Sequence, residues 1–381
     1  MITNTQSILL DLLARVLNRR SDATETDELP HLGHPDRLQW LELISLAEKM
    51  EVNGLLYDAV STISQDQRPD AEVMMRWTAD IVSMERDNLS YRAGLYPILE
   101  KLGPGNPYPI VMKGIVLGSL YPNPMHRTVG DVDLFVPLDH QPKCLKLFQD
   151  EGAEIDPVRD LKHTTLKCNG LNWELHFHCL HFYSQRTEKR FLLMEAEETA
   201  PDTVCHETVD GHDISVFPPL FRLVYLTAHL QHHLLLERIT LRQVIEWMLA
   251  LHHERTPLGI KEVAFVRQLK QLGLFRLYRA LGYIAVTHLG LAANSYAGLS
   301  DLTKKDARHG DYLLQVILDG HIPGGRQYKP RLATDDWRAR LEHNTELVKR
   351  CIALRSICPE ECLATPFGFA IQAIRRRLAE R

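Results

Sequence analysis

Apolar residues in the first hundred positions recur at the spacing of amphipathic helices. The clearest series are Leu9, Leu12, Leu13 and Val16, followed by Leu38, Leu41, Ile44 and Leu46. Side chains three and four positions apart share one face of a helix, so each series predicts a helix with one buried face. Pro30, Pro35 and residues 64–69 break the runs where loops are needed. The pattern predicts a helical region over residues 1–102, without a strand.

The helical pattern ends at Gly103-Pro104-Gly105-Asn106-Pro107, the strongest breaker of secondary structure in the sequence. Strands are predicted over 108–112, 132–136, 163–168 and 171–177, with a helix over 141–151 and another directly after Lys113-Gly114. Asn169-Gly170 lies between the last two strands, which is the strongest short hairpin signal. This order predicts an α+β core over residues 103–218, a small sheet with helices on one face.

Helical spacing returns after residue 219 and continues through the C-terminal region, residues 219–381. The predicted helices cover 220–236, 241–251, 260–272 and 274–289, with further helices to the end. The longest apolar stretch, 274–293, contains Arg276, Arg279 and His288, so no membrane span is predicted. At 381 residues the chain is longer than one hydrophobic core usually accommodates, and we expect two or three packed units.

Composition excludes a mainly disordered chain and disfavours one that coats nucleic acid. Hydrophobic residues make up 45%, charged residues 24%, and the net charge is -5. The basic tail 373–381 is interpreted as a solvated face at the end of the last helix. Seven cysteines without framework spacing favour free thiols in a reducing compartment, so we expect a cytoplasmic protein. The N-terminus is expected to form an amphipathic helix and not a signal peptide.

The sharpest chemical pattern is Gly130-Asp131-Val132-Asp133, which begins a predicted strand. Alternate side chains of a strand share one face, so Asp131 and Asp133 can present two carboxylates to one locus. Mg²⁺ prefers oxygen ligands and is commonly held by one or two carboxylates plus substrate phosphates. A solvated sheet edge is the other interpretation of a bare Asp-x-Asp, but the neighbouring glycine loop and apolar strand favour a metal site.

Glycines and cations upstream of the two aspartates have the arrangement of a phosphate loop. Lys113-Gly114 follows a predicted strand, and Gly118-Ser119 lies shortly after it. Glycine between a strand and a helix lets a phosphate approach the backbone. Lys113 or Arg127 could neutralise phosphate charge, and support of the loop is the other role predicted for Arg127.

This pattern resembles the DNA polymerase β-type nucleotidyltransferase superfamily. The signature of that superfamily, an apolar residue, Gly, Gly or Ser and a spacer before Asp-x-Asp, is matched by Leu117-Gly118-Ser119 and the 11 residues 120–130. The sequence around Val111-Met112-Lys113-Gly114 resembles more closely a bacterial branch known as the uncharacterised nucleotidyltransferases. This resemblance extends over about residues 37–255. In that branch the Lys-Gly pair fills the place of the phosphate loop, so Lys113 and Gly114 are preferred to Gly118 and Ser119 as loop residues.

The resemblance implies a third carboxylate on a neighbouring strand, and Glu174 in Trp173-Glu174-Leu175-His176 matches that position. Asp131, Asp133 and Glu174 are then the expected catalytic and metal-binding residues, with Mg²⁺ or Mn²⁺ as cofactor. Glu174 shares a strand face with His176, and the opposite face is apolar, which points Glu174 away from the core.

Histidines form a second cluster: His163, His176, His178, His181, His229, His232, His233, His252 and His253. A zinc site is conceivable because His176 with His178 and His229 with His233 have ligand-like spacing, but no Cys-x-x-Cys accompanies them. We interpret His163 and His176 as polar residues lining a nucleotide cleft, and the others as hydrogen-bonded histidines at interfaces.

The resemblance implies transfer of an NMP group from an NTP, with ATP favoured, to an acceptor with release of pyrophosphate. The net acidic chain favours a small molecule or a protein over RNA as acceptor. The alternative is a nucleotide-binding or regulatory module without catalysis, for example a component of a toxin and antitoxin pair. The sequence leaves open the acceptor and the oligomeric state.

Overall fold

A computed structural model describes residues 2–18, 29–102, 108–156, 162–255, 262–293, 296, 298–322 and 337–368. The predicted breaker 103–107 and the basic tail 373–381 lie outside the described residues. Within them, the fold is α+β, with a small mixed sheet and helices before and after it, as predicted.

The described residues of the N-terminal region form helices and no strand, as predicted. The predicted buried face of the second helix was wrong in part, because Leu38 and Leu41 are exposed and Trp40 and Leu43 are buried with Ile44. The helices are α1 (Asn4–Leu17), α2 (Arg37–Lys49), α3 (Asn53–Val60) and α4 (Ala71–Leu102). Capping boxes begin α1 and α2: the side chains of Thr3 and Asp36 accept from the backbone N–H three residues on, and Gln6 and Gln39 bond back. These caps fix where the amphipathic helices start.

The five-stranded sheet has the order β1-β2-β5-β4-β3. Its strands are β1 (Ile110–Val111), β2 (Val132–Phe135), β3 (Glu154–Ile155), β4 (His163–Cys168) and β5 (Leu171–His176). Strands β2 and β5 are parallel, and the other pairs are antiparallel. Asn169 and Gly170 both have positive φ, at 51° and 75°, which is the geometry that a two-residue hairpin requires. The predicted β4–β5 hairpin is therefore confirmed.

Two helices connect the strands in the first half of the core. Helix α5 (Ile115–Gly118) follows Gly114 directly but has only four residues, whereas α6 (Gln141–Asp150) matches its prediction. Helix α7 (Gln185–Glu198) was not predicted from the sequence. The separate hairpin of β6 (Cys205–Val209) and β7 (His212–Val216) was not predicted either. Asp210-Gly211, a hairpin signal of the same kind as Asn169-Gly170, joins these two strands.

The described residues of the C-terminal region form helices joined by loops, as predicted. Its helices are α8 (Pro219–Leu236), α9 (Leu241–His253), α10 (Glu262–Gln271), α11 (Phe275–His288), α12 (Lys304–Asp319), α13 (Trp337–Leu354) and a last helix over 359–368. No helix in the described part of the chain combines the length and apolarity needed to cross a membrane.

Two apolar cores organise the described residues. One joins the N-terminal helices to the C-terminal helices, and the other lies between the sheet, the β6–β7 hairpin and the second half of α4. Alternation along β2 divides its side chains: Val132 and Leu134 pack in the sheet core, whereas Phe135 packs in the helical core. Asp133 shares the face of Phe135, so its carboxylate lies on the side of the sheet that faces the helical core. The prediction of helices on one face is wrong, because α4 and α6 pack in the sheet core on the opposite face.

Candidate active site

The register of two parallel strands places Asp133 beside Glu174. Asp133 of β2 is directly opposite Glu174 of β5. His176 lies between their carboxylates, with its Nε2 atom 3.2 Å from Asp133 Oδ1 and 3.1 Å from Glu174 Oε2. Two of the three predicted carboxylates therefore converge on one nitrogen atom.

Asp131 lies one residue before β2 and is exposed. Like Asp133, it acts electrostatically on Tyr91. Burial raises the pKa of the Tyr91 hydroxyl, and the negative charges of Asp133 and Asp131 raise it further, whereas Arg127 lowers it. The charges of both aspartates therefore act on this hydroxyl.

Lys113 supplies positive charge to this locus. Its Nζ atom is 3.1 Å from Asp133 Oδ2 and 3.0 Å from His229 Nε2. Burial alone would raise the pKa of Asp133, but Lys113 and His176 outweigh it and hold that pKa well below its usual range. Burial and the charge of Lys113 hold the pKa of His229 well below its usual value, so a neutral His229 accepts the hydrogen bond from Lys113.

Gly114 occupies the turn between β1 and α5 in a conformation that only glycine adopts readily, with φ 62° and ψ -115°. A Cβ atom on this residue would also lie 2.7 Å from the Tyr91 hydroxyl oxygen. Tyr91 is 3% exposed, and its hydroxyl has no hydrogen-bond partner among the described residues. A buried polar atom thus points at the loop between Lys113 and the start of α5.

Gly118 and Ser119 lie at the far end of α5. Gly118 is the last residue of the helix, and Ser119 is its C-cap, with an exposed side chain whose hydroxyl donates to the Val116 carbonyl at 2.7 Å. A Cβ on Gly118 would lie 3.0 Å from Arg127 Cδ. Gly114, and not Gly118, is therefore the glycine at the turn between strand and helix.

Arg127 is buried beneath this loop. Its Nε donates to Glu246 Oε1 of α9 at 2.9 Å, and its NH1 group donates to the Thr128 carbonyl at 3.2 Å. Glu246 also accepts from Arg242 and Tyr121. Of the two roles predicted for Arg127, these contacts suit support of the loop.

His163 faces the same locus from β4. It is the direct cross-strand partner of His176, and its Nε2 atom is 3.7 Å from Glu174 Oε1. The predicted residues His163, Glu174 and His176 are thus neighbours on one face of the sheet.

Three residues at the site were not among the predicted site residues: Tyr91, His229 and Glu246. His229 had been assigned with the interface histidines, and its helical spacing to His233 was the signal that could have singled it out. Tyr91 and Glu246 lie in amphipathic helices far from Asp133 in sequence, where nothing local distinguishes them.

Comparison with known proteins gives one family. The chain matches the family described as "Uncharacterised nucleotidyltransferase" over residues 36–290. Searches of curated proteins and of solved structures found no significant match. The family match contains every residue of the site described above.

Proposed function

The chain belongs to the uncharacterised nucleotidyltransferase family, and we propose that it transfers an NMP group from an NTP to an acceptor, with release of pyrophosphate and dependence on Mg²⁺ or Mn²⁺. The observation that carries this proposal is the pairing of Asp133 with Glu174 across parallel strands, with Lys113 on Asp133. Carboxylates in such proximity repel each other unless positive charge lies between them.

The donor set suits a hard divalent cation. Asp133 and Glu174 each place an oxygen within 3.2 Å of one point, the His176 Nε2 atom. Exposed Asp131, one residue before β2, would supply a further carboxylate. Asp131, Asp133 and Glu174 would hold the ion, which would neutralise phosphate charge and lower the pKa of an acceptor hydroxyl.

The remaining groups suit a triphosphate. Lys113 lies beside Asp133, and its ammonium group can move from that carboxylate to bind a phosphate oxygen. Gly114 has no side chain, so a phosphate can approach its backbone. The Tyr91 hydroxyl is a donor that lacks a partner among the described residues and points at this loop. Helix α5 has only four residues, so Lys113 and the loop would bind phosphate with little help from a helix dipole.

We expect ATP as the donor and a small molecule or a protein, in preference to RNA, as the acceptor. A labelled α-phosphate tests the acceptor class directly. Wild-type protein is incubated with each of the four NTPs, labelled at the α-phosphate, and with candidate acceptors of the three classes. Label that passes to a small molecule or a protein supports the expectation, whereas label on RNA contradicts it.

Replacement of Asp133 by Asn tests the reaction itself. We expect pyrophosphate release to fall by at least about a hundredfold, on the order of 3 kcal/mol of transition-state stabilisation, because one oxygen ligand and its charge are lost. The matched control is Asp139→Asn, which should leave turnover unchanged. Asp139 is exposed and lies four residues after the end of β2.

Thermal unfolding of both variants shows whether the fold is retained. Equal turnover in wild type and Asp133→Asn would refute the proposal. Nucleotide binding without turnover under any acceptor condition would instead identify a module that binds nucleotides without catalysis.

A further inference from the structure

Three metal-ligating side chains lie together on the face of the sheet that carries Asp133. His163 of β4 and His176 of β5 are cross-strand partners, and Glu174 lies two residues before His176. Residues two apart in a strand share a face, so the register alone brings the three side chains together. Their ligand atoms all lie within 4.8 Å of one another.

The separations between these side chains suit ligands of one ion. His163 Nε2 and Glu174 Oε1 are 3.7 Å apart, beyond hydrogen-bond distance. His176 Nε2 and Glu174 Oε2 are 3.1 Å apart. With metal–ligand bonds of about 2.1 Å, neighbouring ligand atoms lie roughly 3.0–3.4 Å apart. The separation of His176 from Glu174 falls in this range, and that of His163, which is to the other carboxylate oxygen, is about 0.3 Å longer.

We propose that His163, Glu174 and His176 bind a divalent transition-metal ion, such as Zn²⁺ or Mn²⁺, as a site with two imidazoles and one carboxylate. Imidazole nitrogen suits transition metals, whereas Mg²⁺ takes oxygen ligands. The site deepens the proposed function, because Glu174 belongs to both. It assigns to His163 and His176 a role as ligands, where the sequence indicated only polar residues of a nucleotide cleft.

A second group of possible ligands in the described residues provides a contrast. Glu207, His253 and Glu254 also converge, but Arg222 already lies between the two carboxylates, at 2.6 Å from Glu207 and 2.8 Å from Glu254. A guanidinium thus occupies the place of a cation there. The ion pairs of Glu174, in contrast, are with the two histidines.

Co²⁺ titration of the untagged protein, without nucleotide, tests this site through the visible ligand-field absorption of the ion. Wild type should bind one equivalent, and His163→Ala should bind at least about tenfold more weakly. His178→Ala is the matched control: this histidine is more exposed and pairs with Glu195, so its loss should change nothing. Zn²⁺ should displace Co²⁺, and a large excess of Mg²⁺ should not.

The variants also distinguish this site from the aspartate pair. Asp131→Asn should keep Co²⁺ binding, because Asp131 is not among the ligands. His163→Gln, which preserves side-chain polarity, is the second variant if His163→Ala fails to fold. Equal Co²⁺ affinity in wild type and the folded His163 variant, displacement by Mg²⁺, or absence of Co²⁺ binding to wild type would overturn the proposal.

The outcome is separable from that of the proposed function. Nucleotide turnover in a protein without a cobalt site would refute the transition-metal site alone. A cobalt site that depends on His163, in a protein that turns over no NTP, would refute the proposed reaction alone.

Discussion

At the scale of single residues, Tyr91 is the clearest departure from ordinary core chemistry. Its ring packs in the sheet core, but its hydroxyl has no hydrogen-bond partner among the described residues. Burying a hydroxyl without a partner costs about 1–3 kcal/mol. This cost would be offset if a bound molecule supplied a hydrogen-bond acceptor to the hydroxyl at the glycine loop.

Tyr91→Phe should therefore have opposite effects with and without nucleotide. Without nucleotide, the free energy of unfolding should stay equal or rise by up to about 1 kcal/mol, because the unsatisfied hydroxyl is removed. With NTP, affinity should fall about ten- to a hundredfold, as expected for a lost hydrogen bond to a phosphate. Denaturant unfolding and a nucleotide titration measure the two effects.

The control is Tyr57→Phe, which removes a hydroxyl that is 3.1 Å from Thr78 Oγ1. It should lower stability and leave nucleotide affinity unchanged. Unchanged NTP affinity in Tyr91→Phe would exclude a contact between this hydroxyl and the nucleotide.

Gly114→Ala should be destabilising for two separable reasons: its φ of 62° and the approach of its Cβ to the Tyr91 oxygen at 2.7 Å. We expect a loss of about 1–3 kcal/mol, part of which Tyr91→Phe restores in the double variant. Gly170→Ala is the control, since its φ is 75° but no atom lies within 4 Å of its Cβ. A coupling with Tyr91→Phe that is equal for both glycines would contradict the predicted contact.

At the scale of elements, the loop between α5 and β2 depends on the N-terminal helices for its shape. Asn88 of α4 donates to the carbonyls of Met125 and Arg127, at 2.9 and 2.8 Å. His126 bonds to Asp58 of α3 at 2.7 Å and to Glu85 of α4 at 3.1 Å. The segment that leads into Asp131 is therefore fixed by helices far earlier in the chain.

The His126 contacts predict a pH dependence of stability. Burial alone would lower the pKa of His126, but Asp58 and Glu85 raise it above its usual value. The folded state thus holds the proton more tightly than the unfolded chain, in which histidine titrates near pH ~6.5. The resulting stabilisation is fully present below that pH and is lost as the pH rises through the raised pKa of the folded state.

Unfolding free energies of wild type and His126→Gln, measured across this range, check the sign. The advantage of wild type should be largest at the acidic end and should shrink toward alkaline pH. His34→Gln, at an exposed histidine 3.4 Å from Asp66, should show little such trend. An advantage that grows with pH would contradict the prediction.

At the scale of the whole molecule, the site lies where the two apolar cores meet. Helix α4 has 32 residues, about 48 Å, and contributes Trp77 to the helical core and Leu95 to the sheet core. From the C-terminal side, α9 reaches the same place through Glu246, the buried partner of Arg127. Helices from the N-terminal and the C-terminal regions thus support the sheet and its loop.

Glu246→Gln should destabilise the whole protein by about 3 kcal/mol. The change leaves the buried Arg127 without its counter-charge, and breaking a buried ion pair on one side costs about that much. Burial alone would raise the pKa of Glu246, but the charges of Arg127 and Arg242 lower it, which shows how strongly the pair favours the carboxylate. Urea unfolding measures the loss.

The exposed pair of Arg37 and Glu72, 2.9 Å apart, provides the comparison, and Glu72→Gln should change stability little. Equal losses in the two variants would show that the Arg127–Glu246 pair contributes no more than a surface contact.

The sequence by itself determined the features that depend on local spacing. Helical periodicity located most of the described helices, and Asn169-Gly170 located the hairpin. Alternation predicted that Asp131 and Asp133 share one side of their strand, and β2 begins at Val132, one residue after Asp131. Asp210-Gly211 carried the same kind of hairpin signal for β6 and β7 and was overlooked. The resemblance added Glu174, whose position on β5 followed from the same alternation.

Only the tertiary structure decided what lies beside what. The parallel register that sets Asp133 opposite Glu174 joins strands separated by some forty residues, and no turn residue between them specifies it. Tyr91, His229 and Glu246 reach the site from three different helices, each of which looks in sequence like an ordinary amphipathic helix. Local chain geometry fixes which side chains share a face, whereas the packing of distant faces decides which of those faces meet.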